Sequence, residues 1–175
     1  MNAARNGASW TRDWDHDLIL FPFACRVYHI DDAAVAALTE YYGKHFKDGE
    51  DVLDICSSWV SHFPKNWKGL CCSCIFYDIT LRAGTDCSII CFATGGKVVG
   101  LGMNEYELSQ NPQLTSFQVK DLNKDPTLPY PDNSFDKVTC VVSVDYLNKP
   151  KQIFQEIGRA LRPGGECMLT MSNRW

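Results

Sequence analysis

The chain has 175 residues, of which 45% are hydrophobic and 22% charged, and it carries a formal net charge of −4. This composition is typical of one globular domain with a sizeable core, and the acidic balance gives no electrostatic reason to expect a nucleic-acid partner. The longest apolar runs, such as residues 18–23, are far shorter than the roughly 20 residues that a membrane-spanning helix needs. These features predict a soluble, intracellular protein, in the cytoplasm or in an organelle.

The N-terminal part of the chain predicts one helix. Residues 1–27 lack the apolar core of a secretory signal and form a poorly defined segment ahead of a domain that we expect over residues 28–175. Either Asp31 or Asp32 can cap a helix that runs to about Phe46, with apolar side chains at helical spacing.

Three short apolar segments then predict strands. They cover residues 51–55, 98–102 and 117–120, and polar residues lie at or close to the end of each.

The C-terminal third predicts a strand, a helix and another strand. Residues 138–144 are nearly all apolar and rich in β-branched side chains, which is typical of a central strand with both faces covered. Asn148 can cap the next helix, Pro150 suits its first turn, and residues 163–165 (Pro-Gly-Gly) mark its end before a strand at residues 166–171. The basic residues of this stretch are expected to form a solvated helix face: Lys149, Lys151, Arg159 and Arg162.

The order of these C-terminal elements resembles the class I S-adenosylmethionine-dependent methyltransferases, especially the methyltransferase type 11 group. The resemblance rests on the turn at residues 128–136 (LPYPDNSFD), the strand and helix after it, and the motif LRPGG at residues 161–165. It implies an α/β fold with a Rossmann-like, mostly parallel sheet flanked by helices. It also implies a methyltransferase that uses S-adenosylmethionine to methylate a small-molecule acceptor. The alternative is a noncatalytic, methyltransferase-like module for binding or interaction.

The resemblance implies that the cofactor contacts the ends of the first two strands. After the first strand, Asp54 matches the family's acidic position, and Cys56 and Ser58 stand where the family favours glycine. After the second strand, Gly102 stands where family members usually carry a ribose-binding carboxylate. Asn104 and Glu105 are therefore the candidates for ribose binding, and Glu105 equally suits the start of a helix.

The end of the third strand supplies the adenine contacts implied by the resemblance. Asp121 matches a position that commonly accepts a hydrogen bond from the adenine amino group, and Leu122 follows it as a further cofactor contact. The alternative role of Asp121 is to form a turn.

The end of the fourth strand faces the methyl group in this family, which makes Asp145 and Tyr146 the catalytic candidates for positioning the acceptor. Their alternative roles are a helix cap and packing. His62 can in principle act as a base, but a surface polar role is favoured.

Residues 68–95 are interpreted as an insertion, because the family crosses from the first to the second strand in a shorter segment. The spacing of the cysteines permits a zinc site, but the segment is mainly apolar and lacks the pattern of a zinc ribbon, so no metal is predicted. Disulfides are not expected here in an intracellular protein. An extra surface hairpin, or a tract foreign to the domain such as translated unspliced sequence, remain as alternatives. The cysteines are Cys71, Cys72, Cys74, Cys87 and Cys91.

The C-terminal edge of the predicted sheet is incomplete by comparison with the family. Seven strands are usual in class I methyltransferases, and this sequence stops just after the fifth. An apolar strand edge without a neighbour favours association. The sequence therefore predicts self-association through that edge.

Overall fold

The computed structural model describes residues 30–65, 67 and 96–171. The predicted N-terminal segment and the cysteine-rich insertion lie outside the described residues, so the predicted domain boundaries stay predictions. The described elements in chain order are α1 (Asp32–His45), β1 (Val52–Ile55), β2 (Val98–Gly102), α2 (Glu105–Ser109), β3 (Ser116–Val119), β4 (Phe135–Val141), a short 3-10 helix (Val144–Tyr146), α3 (Pro150–Ala160) and β5 (Leu161–Thr170).

The five strands form one parallel sheet in the order β3-β2-β1-β4-β5. The chain starts at the central strand β1, proceeds to β2 and β3 on one side, and then returns to β4 and β5 on the other. This confirms the predicted Rossmann-like sheet. Because all strands run in the same direction, their carboxyl ends lie along one edge of the sheet. Among the described residues, no helix is both long enough and apolar enough to cross a membrane.

Helices cover both faces of the sheet. On one face, α1 starts at Asp31, whose carboxylate accepts a hydrogen bond from the Ala34 amide at 2.9 Å. Its apolar side chains pack with residues of the loop after β1, and four aromatic rings lie 4.9–5.6 Å apart in this cluster: Tyr42, Phe46, Phe63 and Trp67. On the other face, α3 buries the apolar stripe that the sequence predicted: Ile153, Ile157 and Ala160.

The buried hydroxyl of Tyr42 gives the first testable prediction. Tyr42 is 0% exposed, and its hydroxyl has no hydrogen-bond partner among the described residues. We expect Tyr42→Phe to leave the free energy of unfolding unchanged or to raise it by up to about 1 kcal/mol, because an unpaired buried hydroxyl is costly. Urea denaturation checks this, with Tyr41→Phe at an exposed ring as the control. A loss above about 1 kcal/mol for Tyr42→Phe alone contradicts it, since the hydroxyl then makes a stabilising bond.

The fourth strand differs from its prediction at both ends. It covers Phe135–Val141, three residues earlier than the predicted segment, and Phe135 is fully buried. The strand stops where Val142 adopts a positive φ of 43°, a conformation that a β-branched residue seldom takes. Val144–Tyr146 then form the short 3-10 helix instead of the strand end.

The limits of α3 also correct the sequence analysis. The residue that precedes the helix is Lys149, without a side-chain cap, and the Asn148 amide donates to Asn123 Oδ1 at 2.7 Å. The helix ends at Ala160, before the Pro-Gly-Gly turn, and the chain pairs with β4 already at Leu161. Gly164, with a φ of 82°, lies where the β4–β5 register shifts, so the turn forms an irregularity within β5 and does not end the helix.

Two of the four basic residues are not part of a solvated helix face, contrary to the prediction. Arg162 lies in β5 and donates to Asp51 Oδ2 at 2.6 Å and to Asp136 Oδ2 at 2.5 Å, so it joins the starts of β1, β4 and β5. Arg159 donates to the carbonyl oxygens of Leu128 and Tyr130 at 3.0 and 2.8 Å. These arginines hold the two motifs that carried the family resemblance in place.

β5 lies at one edge of the described sheet, with Leu169 and Met171 exposed near its end. Self-association through this edge stays a prediction.

Candidate functional site

The candidate site lies where the carboxyl ends of β1 to β4 meet. In an open parallel sheet, ligands bind outside these ends, at the point where the strand order reverses. Here that point lies between β1 and β4, because the chain builds the sheet outward from β1 in one direction and then from β4 in the other. All the site residues predicted from the sequence lie in or just after these four strands.

Asp54 organises the turn after β1 from within the protein. Its side chain accepts hydrogen bonds from the hydroxyls of Ser57, Ser61 and Thr139, each at 2.7 Å, and the residue is only 3% exposed. Burial raises the pKa of Asp54, and the three hydroxyl donors partly oppose that rise. These contacts show that Asp54 orients the turn after β1. Direct contact between Asp54 and a cofactor stays a prediction.

The turn after β1 is held close to β2. Cys56 takes a positive φ of 54°, the left-handed conformation that favours glycine, at a position where the family favours glycine. The next amide, of Ser57, donates to the Leu101 carbonyl oxygen at 2.9 Å. A Cβ atom on Gly102 would lie 2.3 Å from the Ser57 carbonyl oxygen, which explains why no acidic side chain occupies that position.

A carboxylate reaches this edge of the sheet from α2 instead. Glu107 accepts a hydrogen bond from Ser58 Oγ at 2.5 Å on one oxygen and from Asn104 Nδ2 at 3.1 Å on the other. Asn104 also caps α2, since its Oδ1 accepts from the Glu107 amide at 3.2 Å. We call Ser58, Asn104 and Glu107 the Glu107 cluster. It brings together two of the predicted cofactor residues, Ser58 and Asn104.

Glu107 is the residue that the sequence analysis missed. The sequence does contain a pattern that points to Glu107. An asparagine followed three residues later by a glutamate is typical of a helix N-terminus, where each of the two side chains can bond to the backbone amide of the other residue. Glu105, the acidic residue considered from the sequence, lies at the first position of α2 and is exposed.

Asp121 forms a turn at the end of β3 and leaves part of its carboxylate accessible. Its Oδ1 accepts from the Asn123 amide at 2.9 Å, whereas Oδ2 lies 3.7 Å from Lys124 Nζ, and the side chain is 28% exposed. The turn-forming alternative is thus present, and Oδ2 remains available to a ligand. The Leu122 side chain packs in the core on the α3 face, which leaves only its backbone for the cofactor contact, and this contact stays a prediction.

The predicted catalytic residues lie beyond the end of β4. Asp145 and Tyr146 belong to the 3-10 helix and are exposed. The Tyr146 carbonyl oxygen accepts from Asn123 Nδ2 at 2.9 Å, which ties this helix to the turn after β3. His62 is half-buried in the loop after β1, and burial lowers its pKa. The roles of Asp145, Tyr146 and His62 in chemistry stay predictions.

These groups suit a ligand with polar and apolar parts. Two carboxylates, at Glu107 and Asp121, lie at the ends of neighbouring parallel strands or just after them. Met103 and Tyr106, on either side of Asn104 in the sequence, are exposed large hydrophobic residues. A nucleoside with a hydroxyl-rich sugar and a flat base matches this donor and acceptor set.

The profile of the methyltransferase domain family matches residues 81–169, just over half of the chain. The chain belongs to this family. Together with the fold, the match identifies a class I S-adenosylmethionine-dependent methyltransferase domain of the type 11 group.

The methyltransferase family membership agrees with relatives of known sequence and structure. The chain is 32% identical over 88 residues to a sterol 24-C-methyltransferase of Pneumocystis carinii (strain B80), a match that covers 47% of this chain and 23% of that protein. The fold is similar to that of the cyclase SpnF (TM-score 0.52, 19% identity, 82% of this chain and 49% of the other). It is also similar to a protein from Pyrococcus horikoshii OT3 (TM-score 0.51, 21% identity, 79% and 57%). The chain thus matches about a quarter of the sterol methyltransferase and about half of the structural relatives.

Proposed function

We propose that this chain binds S-adenosylmethionine across the carboxyl ends of β1 to β4 and transfers its methyl group to a small-molecule acceptor. The observation that carries the proposal is the Glu107 cluster after β2, with the Asp121 carboxylate after the neighbouring strand β3, within a domain of the methyltransferase family. The sterol methyltransferase among the relatives supports a small molecule as the acceptor.

In this proposal the Glu107 cluster holds the ribose. A carboxylate offers about four lone-pair positions, so each Glu107 oxygen keeps one after bonding to Ser58 or Asn104. Those positions suit the two ribose hydroxyls. Glu107 thereby supplies the charge that Gly102 cannot carry.

Asp121 and the turn after β1 hold the other two parts of the cofactor. Asp121 Oδ2 would accept a hydrogen bond from the adenine amino group, and the exposed Met103 side chain and the Leu122 backbone would contact the base. The backbone of Cys56, which has a left-handed conformation, would hold the methionine part. When bound, S-adenosylmethionine supplies an electrophilic methyl group.

In this proposal, the 3-10 helix after β4 binds the methyl acceptor. Methyl transfer is an in-line displacement, so alignment of the acceptor and exclusion of water are the main requirements. Asp145 and Tyr146 offer a carboxylate and a hydroxyl that can orient a polar group of the acceptor. Their exposure leaves both side chains accessible to it.

Glu107→Gln tests the proposed ribose contact. The variant should bind S-adenosylhomocysteine at least roughly tenfold more weakly than the wild type, because hydrogen bonds to a charged group contribute about 1.5–3 kcal/mol. Isothermal titration calorimetry measures the affinity. Glu105→Gln is the matched control, since it makes the same charge change at an exposed position of the same helix. Equal affinities for the two variants would remove Glu107 from the site.

A noncatalytic binding module remains the second candidate. Two features favour it: the Asp54 carboxylate is already bonded to three hydroxyls, and the turn after β1 has no glycine. In addition, the cyclase SpnF has a similar fold but is named for a different reaction. A chain that binds S-adenosylhomocysteine but methylates nothing in a panel of sterols and other small acceptors would support this candidate over methyl transfer.

A further inference from the structure

Two cysteines lie close together where β1 and β4 run side by side. Cys140 lies in β4, is fully buried and belongs to the apolar cluster on the α3 face. Cys56 directly follows β1, is half-buried and packs against the same apolar cluster as Cys140. Both are free cysteines. The proposed cofactor site uses the backbone of Cys56 but gives no role to either thiol.

The strand register brings these cysteines within reach of each other. Asp54 pairs with Thr139, so one further step along the parallel strands puts Ile55 beside Cys140, and Cys56 directly follows Ile55 in the turn after β1. Because paired strands lie about 4.8 Å apart and consecutive Cα atoms about 3.8 Å apart, the Cα atoms of Cys56 and Cys140 are at most about 8.6 Å apart. Disulfides have Cα–Cα distances of about 4.4–6.8 Å, a range inside this limit that a small shift of the turn can reach.

The two thiols differ in access to a reagent. The neighbouring Cys56 side chain and burial both raise the pKa of the Cys140 thiol far above its ordinary value, so Cys140 is a poor first nucleophile. Cys56 is half-buried and lies just after the carboxyl end of the central strand β1. This arrangement gives Cys56 the role of the first thiol to react and Cys140 that of the resolving thiol.

We propose that Cys56 and Cys140 form a reversible disulfide by exchange with a small disulfide such as oxidised glutathione. The Cys56 thiolate attacks one sulfur of the reagent, the reagent's S–S bond breaks, and one reduced thiol leaves. Cys140 then loses its proton and attacks the sulfur of Cys56 in the mixed disulfide, and the second reduced thiol leaves. The protein loses two hydrogens and two electrons, and the reagent gains them. Intracellular disulfides of this kind are transient and redox-sensing.

The bond fixes the turn that the proposed function assigns to the cofactor. Cross-linking Cys56 to β4 restricts the backbone that faces the methionine part, so the oxidised chain should bind S-adenosylhomocysteine at least fivefold more weakly. This consequence rests on the proposed function, whereas formation of the disulfide does not.

The test uses the full chain equilibrated with reduced and oxidised glutathione, followed by alkylation of free thiols and peptide mass spectrometry. The expected product is one Cys56–Cys140 peptide pair that dithiothreitol reverses. The Cys140→Ala variant should instead accumulate glutathione on Cys56. Cys167→Ser, at an exposed cysteine of β5, is the control and should leave the pair unchanged.

Three results would overturn the proposal: stable glutathione on Cys56 in the wild type with Cys140 free, a bond from Cys56 to a different cysteine, or two free thiols across the whole glutathione range. The effect on S-adenosylhomocysteine is then measured on the oxidised and the reduced wild type, and dithiothreitol, which restores both thiols, should reverse it. If the reduced chain does not bind this ligand, the proposed function fails while the peptide map still decides the disulfide.

Discussion

Asp54→Ala should lower the free energy of unfolding by more than about 3 kcal/mol, because each of three hydroxyls loses its acceptor and each loss costs about 1 kcal/mol or more. The hydroxyls of Ser57, Ser61 and Thr139 all donate to this one carboxylate, and the surrounding burial leaves little access for water. Urea denaturation measures the change. Asp32→Ala, at an exposed carboxylate in the first turn of α1, is the control and should cost less than about 1 kcal/mol. A loss below about 1 kcal/mol for Asp54→Ala would show that the three hydroxyls find other partners.

The pH dependence of stability gives a second view of Asp54. Since burial raises its pKa in the folded state, the folded chain keeps a proton that the unfolded chain releases near its ordinary pKa of about 3.9. The resulting stabilisation is fully present below about pH 4 and is lost as the pH rises through the folded pKa. The wild type should therefore lose stability relative to Asp54→Asn as the pH is raised from 4. A wild type that gains stability relative to Asp54→Asn over this range would contradict the raised pKa.

Gly102→Ala should cost roughly 1–3 kcal/mol of stability, because inserting a methyl group into a packed site forces the backbone to move. The new Cβ would lie 2.3 Å from the Ser57 carbonyl oxygen and 3.3 Å from Leu108. The turn after β1 must shift away from β2, and the affinity for S-adenosylhomocysteine should fall with it. Denaturation and calorimetry measure the two effects.

Gly158→Ala is the matched control for Gly102→Ala. A Cβ at Gly158 meets nothing within 4 Å, and the residue lies in α3. The same substitution should there stabilise the chain by up to about 1 kcal/mol through helix propensity. If Gly102→Ala behaves like Gly158→Ala, the turn after β1 is not held against β2 as described.

The bounds of strands and helices were predicted best where the spacing of apolar residues alone defines the element. The second strand was predicted with the observed bounds, Val98–Gly102, and α1 within one residue at each end. The fourth strand was placed too late because Asp136 and Lys137 interrupt its apolar pattern. Both side chains are held by ion pairs, to Arg162 and Glu166, that periodicity cannot reveal. The positive φ of Val142, which ends the strand, carries no sequence signal.

The sequence predicted where the candidate site lies, but not which contacts its side chains make. The rule that ligands bind at the carboxyl ends of parallel strands located it. The inward orientation of Asp54 depends in part on Thr139, which is 85 residues away in sequence. The absence of an acidic side chain at Gly102 follows from the approach of the Ser57 carbonyl oxygen, a contact between two separate turns.

The most direct test of the central claim is a crystal structure of the chain with S-adenosylhomocysteine bound. The account predicts one ligand across the carboxyl ends of β1 to β4, with its ribose hydroxyls on Glu107 and its adenine amino group on Asp121 Oδ2. A ligand bound elsewhere, or one whose ribose and adenine contact neither carboxylate, would contradict it.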